Sequence, residues 1–254
     1  MEFEIWVFAL LCCAYFAAGL IDSAAGGGGL IAVPSLLMAN IPPDLALGTN
    51  KLVVTLSMPS SLITYARSGF VQWRLAAAGT PVVLLSGMAG TKALLFFPTE
   101  TIGKIILFLL PIAIAVTLMP KKDSGTVSEI PTTMPYVRMF IICSLIGFYE
   151  GFFGPGAGSF FILGLHHFVG LGLIQSSATT KVLNLAAAFS ALLVFMLNGK
   201  VLYTAALPLA AACIAGYIAG TRMAIRIGPA YIRKMLTVIM VLLMASLVWK
   251  FYLS

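Results

Sequence analysis

Asp22-Ser23-Ala24-Ala25-Gly26-Gly27-Gly28-Gly29 interrupts an apolar run near the start of this 254-residue chain, and Glu150-Gly151-Phe152-Phe153-Gly154-Pro155-Gly156-Ala157 interrupts another in its second half. Each is an acid followed by a glycine-rich break, and each leads on to a lysine. Leu47-Gly48-Thr49-Asn50-Lys51-Leu52 is answered by Ser177-Ala178-Thr179-Thr180-Lys181-Val182, and Ala89-Gly90-Thr91-Lys92 by Ala219-Gly220-Thr221-Arg222, both at one and the same offset along the chain. An acid, a glycine interruption and a lysine, recurring inside otherwise apolar sequence, form the pattern of a duplicated membrane transporter whose site lies between the repeats.

Composition sets the solvent. Hydrophobic residues make up 61% of the chain and charged residues 9%, with a mean hydropathy of +1.06. Soluble domains run at about 45–50% apolar and about 25% charged, so the chain reads as an integral membrane protein with the lipid bilayer as its partner. Continuous apolar runs of about 18–24 residues favour an all-α bundle over a barrel, whose strands alternate in segments of about 10. A net charge of +7 does not point to nucleic acid, because the 15 Lys and Arg are spread singly between the apolar runs, not gathered in a stripe. Cys12, Cys13, Cys143 and Cys213 lie inside apolar runs without metal-ligand spacing, so neither a metal site nor a cofactor is expected. Met1-Glu2-Phe3-Glu4 is acidic where a secretory signal is basic, and the first apolar run is expected to be retained.

Apolar runs fall at 5–22, 29–39, 44–66, 75–95, 101–120, 136–150, 157–168, 173–197, 201–222 and 234–252. The polar stretch 121–133 reads as a linker between a first repeat, 1–120, and a second, 134–254. Ile5 to Ala39 as one helix would run about 52 Å, against a hydrocarbon core of about 30 Å. A hairpin broken at the glycines, with a short second arm that does not cross, fits both limits. Three full spans after each hairpin then make the repeats inverted. In that arrangement Arg67, Arg74, Lys121, Lys122, Arg138, Arg222, Arg226, Arg233 and Lys234 share one side, against Lys92, Lys104, Lys200 and Lys250 on the other. A parallel arrangement gives no bias. The excess of positive charge predicts a multi-pass protein with both termini outside and the linker in the cytoplasm.

The candidate site follows from what each residue type costs in lipid. Gly26, Gly27, Gly28 and Gly29, and in the second half Gly154, Gly156 and Gly158, let the backbone turn and start a half-helix in mid-membrane, where its free N–H groups attract anions. The alternative is that they serve close helix packing. Lys51 and Lys181 stand too deep in their spans to reach an interface. A lysine there costs about 2.5–3.5 kcal/mol on insertion scales unless an anion accompanies it. That anion is either a substrate or the acid Asp22 or Glu150. Thr49, Asn50, Thr179, Thr180, Asn184, Ser57, Gln175 and Ser176 add uncharged groups beside the lysines, suited to oxyanion oxygens. Asp22 and Glu150 are candidates for proton coupling or for capping the half-helices. His166 and His167 have no equivalent in the first half and are expected at the cytoplasmic interface.

The runs GLIDSAAGGGGLIAVPSLL and ALGTNKL, with GFYEGFFGPGAGSFFIL and SSATTKVLN, resemble the sulfite exporter TauE/SafE family over nearly the whole chain. The resemblance implies a multi-helix inner-membrane protein that exports sulfite, sulfonates such as sulfoacetate, and other small organic anions. It carries over Gly26–Gly29, Thr49, Asn50, Lys51, Gly154–Gly158, Thr179, Thr180, Lys181 and Asn184 as site residues. The residues themselves point the same way: two half-helix starts and two lysines make a cationic midplane pocket for an oxyanion. Each negative charge leaving a negative cytoplasm gains about 2.3 kcal/mol per 100 mV, so export can run as uniport, whereas import needs a coupling ion and would use Asp22 and Glu150. The rival readings are a passive anion or small-solute channel and a proton-coupled organic-anion importer. An enzyme is not expected: Ser159 and His166 could be imagined as a dyad, but no Gly-x-Ser-x-Gly or His-Glu-x-x-His is present. A homodimer is a candidate assembly for a transporter of this size.

Overall fold

The computed structural model describes residues 4–118 and 135–227. The expected linker over 121–133 and the last expected span, 234–252, lie outside the described residues, together with Lys121, Lys122, Arg233, Lys234 and Lys250. Among the described residues every regular element is a helix: α1 Ile5–Ala25, α2 Gly29–Met38, α3 Pro43–Arg67, α4 Trp73–Leu95, α5 Thr99–Leu118, α6 Pro135–Phe152, α7 Ala157–Gly164, α8 Leu173–Leu197 and α9 Tyr203–Ile227. Helix α7 widens into a π-helical turn over Leu165–Val169. Five of the described helices, α1, α4, α5, α8 and α9, are long and apolar enough to cross a membrane. Exposed Trp6, Leu10, Leu85, Phe108, Leu145 and Leu207 give the bundle the apolar exterior that a lipid solvent accepts.

Both interrupted segments are hairpins. Gly26 ends α1 at φ +74 and returns its N–H to the Asp22 carbonyl at 3.1 Å. The chain then doubles back so closely that Gly28 lies against Ala18 and Asp22. With 10 residues, α2 extends only about 15 Å at 1.5 Å per residue and does not cross. In the second hairpin Gly154 turns the chain at φ +95, and α7 runs back along α6, with Gly164 against Ile142 and Ile146 and the Tyr149 ring centred 4.9 Å from that of Phe160.

The left-handed positions recur with the sequence. Asn40 (φ 59) and Gly170 (φ 84) open the way into α3 and α8, and Gly69 (φ 73) and Gly199 (φ 65) turn the chain after them, each pair at the same offset as Lys51 and Lys181. The packing, however, is exchanged. Helix α1 lies chiefly on α9, and α6 chiefly on α4, while α3 and α8 meet in the centre. Small residues make the crossings possible: Gly216 and Gly220 of α9 abut the Phe16 and Leu20 carbonyls of α1, and Gly90 and Gly87 of α4 abut Phe148 and Gly151 of α6. Without a hydrophobic drive between helices in lipid, such close backbone approach supplies the attraction. Thr91 adds a 2.8 Å hydrogen bond to the Gly151 carbonyl.

Candidate functional site

The two breaks touch each other. The Ser159 backbone N–H, in the first turn of α7, donates to the Gly26 carbonyl at 2.8 Å, and its hydroxyl donates to the Ala25 carbonyl at 2.7 Å. Gly26 and Gly158 approach so closely that a Cβ on either would collide with the other's backbone. Ser159 is thus a strut between hairpins. His166 bonds the Leu171 carbonyl through Nδ1 at 2.7 Å, so neither member of the imagined dyad addresses the other.

Lys51 and Lys181 are enclosed, at 2% and 0% exposure, and both are paired. Lys51 Nζ donates to Glu150 Oε1 at 2.7 Å and to the Glu150 carbonyl. Lys181 Nζ lies 3.3 Å from Asp22 Oδ2 and also donates to the Asp22 carbonyl. Each lysine therefore reaches the acid of the other half and also a carbonyl where a hairpin arm ends; the Asp22 carbonyl accepts from the Gly26 N–H as well. Of the two partners open to the lysines, a substrate or the acids, the structure shows the acids, Glu150 on Lys51 and Asp22 on Lys181. Breaking one such buried pair strands its partner at a cost of about 3–5 kcal/mol.

The half-helix starts are likewise occupied from within. Asp22 Oδ1 accepts the Gly28 N–H at 3.0 Å, capping α2 with a carboxylate where its dipole favours one. The Gly27 carbonyl accepts the Leu30 N–H. Gly154 makes room for lysine: a Cβ there would strike the Lys51 ammonium. Gly26, Gly29, Gly154, Gly156 and Gly158 line a cavity of about 20 Å³ together with Asp22, Asn50, Lys51, Val54, Glu150 and Asn184. That is room for about one water-sized body, so the site is closed around its own charges.

The remaining expected residues divide. Asn50 and Asn184 face the cavity. Thr49 and Thr179 are fully buried, do not line it, and hold loops, accepting the Leu202 N–H at 3.0 Å and the Gln72 N–H at 3.1 Å. Thr180 Oγ1 is buried without a hydrogen-bond partner. Ser57 bonds the Val53 and Ala210 carbonyls, and Ser176 bonds the Leu171 carbonyl. Gln175 is half-buried. His167 is exposed, and its ring sits 4.9 Å from that of His166.

Three tyrosines escape sequence reasoning. Tyr217 donates to Asp22 Oδ2 at 2.6 Å, Tyr65 to the Ser23 carbonyl at 3.0 Å and Tyr15 to Asn50 Oδ1 at 3.3 Å. The duplication that exposes the lysines is silent here, since Gly87 stands where the repeat offset places the counterpart of Tyr217. A hydroxyl at full burial needs a partner, and that requirement is the one signal the sequence carries.

A family model described as Sulfite exporter TauE/SafE matches residues 11–247. The chain is 37% identical over 240 residues to a "Probable membrane transporter protein ORF9" of a Sinorhizobium species, covering 93% of this chain and 90% of that one. It is 32% identical over 251 residues to a "Probable membrane transporter protein" of Haemophilus influenzae, covering 98% and 97%. To the "Probable membrane transporter protein YfcA" of Escherichia coli K12 it is 30% identical over 233 residues, covering 91% and 86%. No solved structure matches the chain.

Proposed function

This chain belongs to the sulfite exporter TauE/SafE family of membrane transporters, and from that premise we propose that it exports small oxyanions, sulfite, sulfoacetate or related sulfonates and carboxylates, across the bacterial inner membrane. The observation that carries the reading is the pair of fully buried lysines, each bound to an acid from the opposite half beside a shared cavity. Four ionised groups in mid-membrane are costly to maintain. A packing role is met without that cost by apolar residues of similar volume. Their use is exchange: an entering oxyanion takes the place of a carboxylate on Lys51 or Lys181, and the halves separate on one side to admit it.

Inversion of the halves belongs to the same reading. Lys51 with Glu150 matches Lys181 with Asp22, and the Thr49 bond to Leu202 matches the Thr179 bond to Gln72. Two halves of opposed direction, 1–120 and 134–254, offer equivalent gates to the two sides of the bilayer, with periplasmic termini and a cytoplasmic linker at 121–133.

A thermal-shift panel of sulfite, sulfoacetate, taurine, sulfate, acetate and phosphate on purified protein tests the proposal. Sulfite or a sulfonate stabilises the wild type, and Lys51→Ala and Lys181→Ala insert but lose that response. Equal stabilisation by sulfonates in both variants rules out the lysine site.

A further inference from the structure

The two acids of the central group are not held alike. Asp22 has a donor for each oxygen: the Gly28 N–H on Oδ1 at 3.0 Å, and the Tyr217 hydroxyl and Lys181 on Oδ2 at 2.6 and 3.3 Å. Glu150 has Lys51 on Oε1 alone. Its Oε2 is buried and meets no protein donor, and the same holds for Asn184 Oδ1. Glu150 and Asn184 are 4% and 5% exposed and line one cavity of about 20 Å³. The difference has a cause in the sequence. Where α9 carries Tyr217 against Asp22, α4 carries Gly87 against α6, so no hydroxyl reaches Glu150.

Each of these two buried acceptors, on residues that line one small cavity, needs a donor. The geometry points to Glu150, and not Asp22, as the proton carrier of the site, with Oε2–H donating to Asn184 Oδ1 while an oxyanion occupies Lys51. This rests on the oxyanion-transport reading above and replaces its uniport form with a coupled one, in which the membrane potential no longer drives export and outward flux runs down the anion's own gradient together with the proton's. Charge balance gives the reason. With Lys51, Lys181, Asp22 and Glu150 all ionised the group is neutral, and a monovalent anion would leave it negative in lipid. A proton from water added to the Glu150 carboxylate restores neutrality and frees the Lys51 ammonium for the anion. The ionisable groups around Glu150 are Lys51 from α3 and Asp22 from α1, which share its cavity, with Lys181 of α8 and Tyr217 of α9 bound to Asp22 and Tyr149 next to it on α6. Lys51 passes from the carboxylate to the anion, and Asp22 keeps its three donors. Anion and proton then travel together, so flux of a monovalent anion responds to a pH gradient and not to membrane potential.

Proteoliposomes and infrared titration test this separately. Methanesulfonate is the flux probe, because it cannot carry the proton itself. A one-unit pH gradient is expected to drive about tenfold accumulation at one proton per anion, unaltered when valinomycin and potassium clamp the potential. Glu150→Gln abolishes the accumulation, and Asp22→Asn is not expected to alter the proton dependence of whatever flux it retains. Saturable wild-type flux indifferent to the pH gradient overturns the coupling and leaves the transport reading standing. Absence of saturable flux of methanesulfonate, sulfite and acetate defeats the transport reading, and the infrared arm then judges Glu150 alone. In detergent, lowering the pH is expected to raise a carboxylic-acid C=O band that is lost in Glu150→Gln, kept in Asp22→Asn, and shifted but not lost in Asn184→Val. A water bridging the two oxygens yields no such band, and a wild type without it, or a Glu150→Gln protein that retains it, overturns the assignment.

Discussion

Lys51 places its ammonium on a carboxylate and a carbonyl at once, so its removal strands two acceptors. Lys51→Ala is expected to destabilise the protein by about 3–5 kcal/mol, read as a lowered unfolding midpoint in detergent. Adding Glu150→Leu should recover a large part of that loss, because the stranded charge goes with it. A double mutant as unstable as the sum of its parts would mean that the two do not act as a pair. Gly154 is the residue-scale complement. At φ +95 and with the Lys51 ammonium where its Cβ would be, Gly154→Ala forces both a strained backbone and a displaced lysine. The variant should lose sulfite or sulfonate stabilisation in the thermal-shift assay even where it still folds. Sequence located these residues because a charge or a glycine in a membrane span is costly by itself. It could not show that the lysine of one half binds the acid of the other, because an ion pair between segments so distant in the chain is decided by how helices cross.

At the scale of the elements, the loops after α3 and α8 are tied down differently. The loop from α8 to α9 carries Lys200, whose ammonium lies 2.6 Å from Asp44 Oδ2, and Leu202, whose N–H donates to Thr49. Gly48 clears the way for the Lys200 carbonyl. The equivalent loop from α3 to α4 has the Gln72 bond to Thr179, with Phe70 and Ile174 packed at Tyr65 and Val71. One closure is ionic and the other apolar. Lys200→Met should raise hydrogen exchange at the Leu202 amide by about fivefold, equivalent to about 1 kcal/mol for a partly exposed pair, and leave the Gln72 amide unchanged. Equal change at both loops would show that they open as one. The helix crossings make a second prediction at this scale. Gly220 touches the Leu20 carbonyl, so Gly220→Leu overpacks the α1 and α9 contact at about 1–3 kcal/mol and should lower the unfolding midpoint.

At the scale of the molecule, among the described residues, the halves hold each other more than they hold themselves: α1 rests on α9, α6 on α4, and the two breaks bond through Ser159. A protease site introduced within 121–133 and cut after purification should leave the halves co-eluting in detergent with the anion response intact. Separation on cutting would contradict the exchanged packing. The duplicated sequence by itself determined the membrane class, the helical bundle, the position of both hairpin breaks and the identity of the four central charges, because each of these follows from local composition and its recurrence. Only the tertiary structure decided which half answers which: that Asp22 is served by Tyr217 and Gly28, that Glu150, which shares a cavity with Asn184, is left with one lysine and an orphan oxygen, and that the site is closed on its own ion pairs. Those outcomes depend on where glycine faces let backbones approach, and approach between segments far apart in sequence leaves no periodic trace in the chain.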